Sequence, residues 1–193
     1  MQEGVVIKST GSWYEVRTEN GEVVLCRLRG KIRLDGIRTT NPVAVGDKVF
    51  FEKENNKDTC VINKILPRYN VIVRKSVNLS KASHIIASNI DQAILVATIA
   101  QPRTSTGFID RFLVTSEAYH IPTIIVFNKC DLYDKEQMSQ AEELISVFKS
   151  IGYHSFMLSA KTGYQCEELK SIMQNKVNLF SGHSGVGKSA LIN

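Results

Sequence analysis

The sequence predicts an N-terminal all-β barrel, similar to an oligonucleotide-binding (OB) fold, followed by a parallel α/β domain. Short strand-like segments with hairpin turns fill the first 67 residues, whereas long apolar runs alternate with helical spacing from residue 90 onward. The apolar fraction of 43% is sufficient for packed cores, so disorder of the whole chain is excluded. We therefore expect domains at 1–67 and 90–193, joined by a connector at 68–89.

Five short strands are predicted in the first domain, over residues 4–9, 13–18, 22–29, 48–52 and 59–66. Asn20-Gly21 separates the second strand from the third and favours a two-residue hairpin, because both residue types tolerate positive φ. Strands this short and this numerous favour a small barrel, of which the OB fold is one form. We expect Trp13 and Tyr14 to be a core and a rim residue of that barrel; the alternative is that they stack on bases.

The second domain is predicted as strands that alternate with helices. The segments 90–99 and 123–127 carry near-continuous apolar runs suited to buried parallel strands, and 153–158 and 177–180 are predicted as the third and fourth strands. Helical spacing covers 108–120, 167–176 and a segment that begins after Asp134 and ends near Gly152. Asp134 is a candidate N-cap, with Gln137 three residues later. Strands and helices in strict alternation indicate a parallel α/β layer architecture.

Positive charge is concentrated in the N-terminal part of the chain. Residues 1–75 hold 14 Lys and Arg against 9 Asp and Glu, while residues 76–193 hold 10 of each. Arg27, Arg29, Lys31 and Arg33 are spaced by two, so an extended backbone would place all four on one face. This pattern favours RNA binding by the barrel, and the alternative is an ordinary solvated strand face.

Several classes of protein are excluded by composition. No apolar run approaches the roughly 20 residues of a membrane-spanning helix, and the N-terminus does not resemble a signal peptide. The four cysteines are far apart in sequence and include no CxxC pair, so neither a zinc knuckle nor a redox dithiol is indicated. Scattered cysteines of this kind are typical of reduced thiols in a cytosolic protein.

Residues 182–189, GHSGVGKS, match a phosphate-binding P-loop. They follow a predicted strand and precede a short helical segment that begins near Ala190, which is the context that this motif requires. Glycines let successive N–H groups turn toward phosphates, Lys188 can reach the β- and γ-phosphates, and Ser189 can ligate Mg²⁺. His183 is interpreted as a solvent-facing spacer within the loop.

Two further motifs select the base. Asn128-Lys129-Cys130-Asp131 follows the 123–127 strand, at the edge where open α/β sheets bind ligands. The Asp131 carboxylate can accept both the N1–H and the 2-amino hydrogens of guanine, a pair that adenine does not offer. Ser159-Ala160-Lys161 follows the next strand, and a backbone N–H near Ala160 would suit guanine O6. Each motif alone is weak, but all three end separate parallel strands and can therefore meet at one sheet edge.

The order of these motifs is permuted, because in ordinary small GTPases the P-loop comes first and here it comes last. Close chain termini make such circular permutation possible without changing the site. With the basic barrel in front, the chain resembles the circularly permuted, small-ribosomal-subunit-dependent GTPases of the RsgA family (also called YjeQ or EngC). The matching residues are 29–33 (RGKIR), 89–92 (NIDQ), 128–131 (NKCD), 159–163 (SAKTG) and 182–193.

The resemblance implies a bacterial cytoplasmic GTPase that acts late in small-subunit assembly, with its barrel on ribosomal RNA and its hydrolysis stimulated by the subunit. We expect a monomer without membrane association, GTP or GDP as ligand, and Mg²⁺ on Ser189. The GTP-binding residues expected are Asn128, Lys129, Cys130, Asp131, Ser159, Ala160, Lys161, Gly182, His183, Ser184, Gly185, Val186, Gly187, Lys188, Ser189 and Ala190.

The chain departs from the family pattern after the P-loop. No D-x-x-G motif, switch threonine or zinc-binding Cys/His segment is present in the 193 residues. We therefore expect the GTPase domain to be incomplete at its C-terminus, with zinc bound by a segment outside the chain. We expect no catalytic base among these residues, so that the 193 residues alone do not hydrolyse GTP. Two alternatives stay open: a GTP/GDP-sensing RNA-binding module without hydrolysis, and a P-loop ATPase or kinase in which Asn128–Asp131 is coincidental.

Overall fold

The chain folds into two units, Met1–Asn89 and Ile90–Asn193, and each has its own apolar core. The computed structural model describes residues 1–30, 42–54, 58–75 and 83–193. None of the helices within these ranges is long and apolar enough to cross a membrane. The prediction of an all-β barrel followed by a parallel α/β domain is confirmed.

The first unit is built on a closed five-stranded barrel. Its strands are β1 (Gln2–Thr10), β2 (Trp13–Thr18), β3 (Val23–Leu28), β4 (Lys48–Lys53) and β5 (Cys60–Ile65), in the order β1-β2-β3-β5-β4. β1 pairs with β4 to close the barrel, and β3 runs parallel to β5 while the other pairs are antiparallel. At the predicted hairpin, Gly21 has φ +84° and its N–H donates to the Thr18 carbonyl over 3.0 Å.

Alternation along the strands decides which side chains fill the barrel. Val6, Val16, Val49, Phe51 and Ile62 are fully buried in its core. The structure reverses the predicted order of the aromatic pair: Tyr14 packs in this core, whereas Trp13 is 41% exposed on the outside, because neighbouring residues of a strand point to opposite faces. Cys26 and Cys60 are also core residues, and burial raises the pKa of the Cys26 thiol to about 12.

Two strands lie within the segment predicted as a connector. β6 (Val71–Lys75) and β7 (Ser83–Ser88) form an antiparallel two-stranded sheet that belongs to the first unit. A buried cluster joins this sheet to the barrel: the fully buried Asp47 accepts from Arg68 Nε and Nη2 and from Ser88 Oγ, each over 2.6 Å. The N–H of Ala44 donates to the same carboxylate over 2.8 Å. A buried carboxylate requires such partners, because an unpaired charge would be costly there.

The second unit contains four parallel strands and four helices. The strands are β8 (Gln92–Ala97), β9 (Thr123–Phe127), β10 (His154–Met157) and β11 (Asn178–Ser181), in the order β10-β9-β8-β11. The helices are α1 (Thr106–Ala118), α2 (Lys135–Ser150), α3 (Cys166–Met173) and α4 (Lys188–Ile192). The predicted N-cap of α2 is confirmed as a capping box, because Asp134 Oδ1 accepts from Gln137 N and Gln137 Oε1 accepts from Asp134 N.

Both faces of the two central strands, β8 and β9, are covered, which explains why these strands are almost entirely apolar. Leu95 and Ala97 of β8 face the core formed with α1 and α2, whereas Ile94 and Val96 face the core that includes Leu169 of α3. Val186, within the predicted P-loop, is fully buried in this second core. Close packing on both sides therefore fixes the carboxyl ends of these strands, and with them the first residues of the loops that follow.

Candidate functional site

The three predicted nucleotide motifs leave the carboxyl ends of three parallel strands. Residues 128–131 follow β9, residues 159–163 follow β10, and residues 182–187 follow β11. Because all four strands of this sheet are parallel, these loops lie at the same edge of the sheet. The loop after β8, residues 98–105, leaves the same edge and was not singled out from the sequence.

Glycine is required at two positions of the predicted P-loop by the way it packs. Gly182, Gly185 and Gly187 have φ values of +142°, +83° and +97°, which bend the backbone into a concave turn. A Cβ at position 182 would collide with the carbonyl oxygen of Val96, and one at position 187 would collide with Nδ2 of Asn128. The glycines thus allow the loop to lie directly against β8 and against the Asn128 side chain.

The lysine and serine of the predicted P-loop lie on the first turn of α4. Lys188 Nζ donates to the carbonyls of Gly182 and His183 over 2.9 and 2.7 Å, so its ammonium group lies over the loop. Ser189 is exposed, and the N–H of Ala190 donates to the Gly187 carbonyl over 3.2 Å. Ser184 and Gly185 are exposed at the tip of the loop.

Asn128 connects all three motifs. It is only 1% exposed, its Nδ2 donates to the Val186 carbonyl over 2.8 Å, and its Oδ1 accepts from the Ala160 N–H over 3.1 Å. One side chain therefore ties the loop after β9 to the loop after β10 and to the P-loop. The Ala160 N–H, which is the predicted donor to guanine O6, donates to Asn128 Oδ1 in this structure.

Asp131 and Ser159 form a second contact between motifs. The Ser159 hydroxyl donates to Asp131 Oδ1 over 2.6 Å, and the Thr162 N–H donates to the Ser159 oxygen over 3.2 Å. Ser159 is fully buried, whereas Asp131 is exposed, so a buried hydroxyl orients an accessible carboxylate. Within the described part of the chain, Asp131 Oδ2 has no hydrogen-bond donor.

The remaining motif residues surround this pair. Lys129 has a left-handed backbone, with φ +66°, and its Nζ donates to the Gln101 carbonyl over 2.7 Å. Burial, followed by the charge of Asp131, raises the pKa of Cys130 above its ordinary value. Cys166 Sγ donates to the Ser159 carbonyl over 3.4 Å, and Lys161 is exposed.

The loop after β8 contacts two of the three motifs. The Tyr133 hydroxyl accepts from the Ile99 N–H over 3.1 Å and donates to the Asn128 carbonyl over 2.6 Å. Pro102 lies close to Gly185, and Phe108, at the start of α1, packs against His183 with ring centroids 4.0 Å apart. His183 is exposed as predicted, but it also has this ring partner. The residues that lie outside the three motifs are Ile99, Pro102, Phe108 and Tyr133. They match no recognisable pattern in the sequence, although Tyr133 stands two positions after Asp131.

The predicted RNA-binding arginines are paired with glutamates of β4 and the residue after it. Arg27 Nε donates to Glu54 Oε2 over 2.9 Å, and Arg27 Nη2 also pairs with Glu54 Oε1. Arg29 pairs with Glu52 over 3.0 Å, and both of these side chains are exposed. Lys31 and Arg33 lie outside the described residues. Where the chain is described, the charge of this surface is therefore more mixed than the spacing of Arg27 and Arg29 suggests.

No group of three or more His, Cys, Asp or Glu side chains in the described ranges could hold a metal ion. A magnesium ion that binds with a nucleotide needs fewer protein ligands, because phosphate oxygens and water complete its coordination. The Ser189 hydroxyl is exposed and has the oxygen chemistry that such an ion requires. The residues present thus fit a magnesium–nucleotide site and do not form a separate metal site.

Comparison with known families covers nearly the whole chain. The family described as RsgA GTPase matches residues 65–193, and the RsgA N-terminal domain matches residues 3–61. These two ranges correspond to the parallel sheet unit with its preceding segment and to the barrel, respectively.

Several curated proteins are similar over the same length. The "Small ribosomal subunit biogenesis GTPase RsgA" of Bacteroides fragilis (strain YCH46) is 52% identical over 191 residues, which is 99% of this chain and 61% of that protein. The protein of the same name from Flavobacterium psychrophilum is 53% identical over 192 residues, covering 98% of this chain and 59% of that protein. The chain therefore spans about three fifths of the length of the curated relatives that it matches.

Two solved structures share the fold. YjeQ from Thermotoga maritima matches with a TM-score of 0.79 and 37% identity, covering 100% of this chain and 64% of that one. YloQ, described as a circularly permuted GTPase, matches with a TM-score of 0.72 and 34% identity, covering 100% of this chain and 63% of that one. These matches confirm the predicted barrel followed by a circularly permuted GTPase fold.

Proposed function

The chain belongs to the RsgA GTPase family, and on that basis we propose that the protein binds and hydrolyses GTP during late maturation of the small ribosomal subunit. The observation that carries the proposal is the Asn128 side chain, which joins the predicted P-loop to both base-reading motifs. Three motifs that are separate in sequence are thereby held as one site.

Guanine specificity is assigned to Asp131. Its carboxylate is exposed and oriented by the Ser159 hydroxyl, and the Oδ2 atom is available to accept a hydrogen of the guanine edge. The Ser159 and Ala160 N–H groups donate to the Tyr164 carbonyl and to Asn128 Oδ1, so the proposed donor to guanine O6 is the Lys161 N–H. The Lys129 stem covers a face of the base. The nucleotide-contacting residues remain those expected from the motifs.

The phosphates are assigned to the loop at 182–189. Its positive-φ glycines curve the backbone so that N–H groups can converge on an anion, and Lys188 supplies a positive charge beside them. Ser189 would hold the Mg²⁺ ion, which neutralises phosphate charge when it is bound. The positive charge of Lys188 and the N–H groups orient the phosphates without taking part in proton transfer.

The barrel is proposed to bind ribosomal RNA through Arg27, Arg29, Lys31 and Arg33. Exposed ion pairs such as Arg29–Glu52 contribute at most about 1 kcal/mol, so an RNA phosphate can compete for the arginine. We infer a cytoplasmic monomer with the small ribosomal subunit as partner. A zinc-binding segment, as the family resemblance implies, would lie outside the 193 residues.

Nucleotide competition tests the guanine assignment. Labelled GDP bound to the protein should be displaced by GTP and GDP, but not by ATP at 100-fold higher concentration, since adenine offers no hydrogen pair to Asp131. Displacement by ATP as readily as by GTP would show that the site does not select guanine. GTP turnover of a full-length chain, with and without purified small subunits, then separates a subunit-stimulated GTPase from a module that binds the nucleotide and does not hydrolyse it.

A further inference from the structure

The segment that carries Asp131 is closed into a ring by one hydroxyl group. Asp131 lies in a short 3-10 turn, Cys130–Leu132, between Asn128 and Tyr133. The Tyr133 hydroxyl donates to the carbonyl of Asn128 over 2.6 Å, so the side chain at the end of the turn bonds to the backbone at its beginning. Residues 128–133 therefore form a closed loop with the Asp131 carboxylate on it.

The same hydroxyl fixes this loop to the neighbouring strand. The Ile99 N–H, just beyond the end of β8, donates to Tyr133 Oη over 3.1 Å. Lys129 reaches the same region, because its Nζ donates to the Gln101 carbonyl over 2.7 Å. The loop after β8 thus holds the Asp131 segment at two points, one of them near each end of the segment.

We propose that Tyr133 is a positioning residue for guanine recognition, which places the Asp131 carboxylate by fixing the Asn128 backbone against the loop after β8. The proposal rests on the proposed function, because it assumes that Asp131 accepts the guanine hydrogens. Tyr133 does not touch the base in this arrangement; it acts through the backbone of the segment that does.

The chemistry of the hydroxyl suits this role. Tyr133 is half-buried against the core shared by β8, β9, α1 and α2, and burial raises its pKa to about 12. A tyrosine with its ordinary pKa is already protonated at neutral pH, and burial disfavours the phenolate further, so the hydroxyl remains a donor to Asn128. Without it, the Asn128 carbonyl and the Ile99 N–H would each lose a hydrogen-bond partner.

Tyr153 provides a matched control in the same unit. It is also a half-buried tyrosine that packs against the same core, and its hydroxyl donates to Glu117 Oε1 over 3.1 Å. Tyr153 is the residue before β10, at the end of the sheet opposite to the candidate site. Tyr133→Phe and Tyr153→Phe therefore remove one hydroxyl each from the same core, but only the first affects the Asp131 segment.

The test compares GDP with IDP, whose base lacks the 2-amino group of guanine. Binding of GDP and IDP is measured by calorimetry for the wild type and the two variants, and binding of ADP for the wild type. Melting temperatures show whether each protein is folded. We expect Tyr133→Phe to weaken GDP binding by about three- to tenfold, the usual effect of one hydrogen bond, and to weaken IDP binding less. The ratio of GDP affinity to IDP affinity therefore falls, while Tyr153→Phe leaves both affinities unchanged.

Two results would overturn the positioning role. One is GDP binding by Tyr133→Phe within twofold of the wild type, and the other is an equal loss for GDP and IDP, which would indicate general softening of the fold. Failure of the proposed function gives a different result, since the wild-type protein itself would then bind ADP as tightly as GDP. The wild-type control thus separates the two failures.

Discussion

Each unit of the chain contains a carboxylate on which loops converge, and the two carboxylates differ in what surrounds them. Asp47 in the first unit is fully buried and accepts from Arg68, Ser88 and the Ala44 backbone. Asp131 in the second unit is exposed, and among the described residues its one hydrogen-bond donor is the Ser159 hydroxyl.

The difference separates a structural carboxylate from a recognition carboxylate. The oxygens of Asp47 are occupied by protein donors, so its charge stabilises the fold and is not available to a ligand. Asp131 is oriented by a single buried donor and keeps one oxygen available, which is what recognition of an outside hydrogen-bond donor requires. Substitutions at the two clusters should therefore separate stability from binding.

The largest effect is expected for Asp47→Asn. It leaves the positive charge of Arg68, which is 10% exposed, without its counter-charge, and breaking a buried ion pair costs about 3–5 kcal/mol. The free energy of unfolding is measured by urea titration with tryptophan fluorescence. Trp13 is the one tryptophan of the chain and lies in the barrel, so this signal reports on the first unit.

Asp58→Asn is the control for Asp47→Asn, because Asp58 is an exposed carboxylate of the same unit. It should change the unfolding free energy by less than about 0.5 kcal/mol. Equal effects of the two substitutions would mean that the Asp47 cluster does not hold the first unit together.

The next largest effect is expected for Lys188→Ala, which removes the positive charge over the predicted phosphate loop. Charge-assisted hydrogen bonds contribute about 1.5–3 kcal/mol each, so GDP affinity should fall by about 100-fold or more. Lys170→Ala, an exposed lysine on α3, should leave it unchanged. Calorimetric titration measures the GDP affinity of both variants. If Lys188→Ala kept the GDP affinity of the wild type, the phosphates would not bind at the 182–189 loop.

A smaller loss of GDP affinity is expected for Gly187→Ala, and Gly152→Ala is its matched control. The two glycines have nearly the same φ, +97° and +95°, so the backbone strain of an alanine is matched. A Cβ at 187 would displace the Asn128 amide, whereas a Cβ at 152 has no atom within 4 Å. GDP affinity should fall about tenfold in Gly187→Ala alone, the cost of losing about one hydrogen bond of Asn128.

Gly152→Ala should be destabilised by about 1–2 kcal/mol, because alanine at positive φ is strained. Gly187→Ala should be destabilised by more, because its Cβ also displaces the buried Asn128 amide. Thermal unfolding provides that comparison. If Gly152→Ala reduced GDP affinity as much as Gly187→Ala, the effect would come from backbone strain and not from the Asn128 connection.

Much of this arrangement is predictable from sequence because it depends on local pattern. The five barrel strands, the parallel order of the sheet and the capping box at Asp134 are consequences of alternation, apolar runs and short-range spacing. The convergence of the three motifs is also predictable, since each motif directly follows a parallel strand and such strands end at one edge. Strands β6 and β7 were not predicted, because the apolar runs at 71–73 and 85–87 are only three residues long, lack alternation and stand among polar residues.

Contacts between distant residues account for what could not be predicted. Arg27 is 27 residues from Glu54, and Tyr133 is 34 residues from Ile99, so no spacing rule links them. Spacing therefore could not show that Arg27 and Arg29 pair with Glu54 and Glu52, which reach them over strand β5 on the outside of the barrel. The structural role of Asp47 is likewise hidden in the sequence, because its partners Arg68 and Ser88 are 21 and 41 residues away.

The smallest effects are expected on the barrel surface, where the Arg29–Glu52 ion pair is exposed. If Arg29 exchanges Glu52 for an RNA phosphate, Arg29→Ala should weaken binding of a single-stranded RNA by about threefold and reduce the salt slope by about 0.7. Glu52→Gln frees the arginine and should strengthen binding by a similar factor. Fluorescence anisotropy across a salt series measures both changes.

The Lys8–Glu15 pair is the matched control for this last comparison, because it is another exposed ion pair between strands of the same barrel. Lys8→Ala and Glu15→Gln carry the same charge changes as the Arg29 and Glu52 variants. If RNA contacts the surface around Arg29, only the Arg29 and Glu52 variants change the RNA affinity by their expected factors. If all four shift it equally, the barrel attracts RNA through its net charge alone, and Arg29 has no specific role.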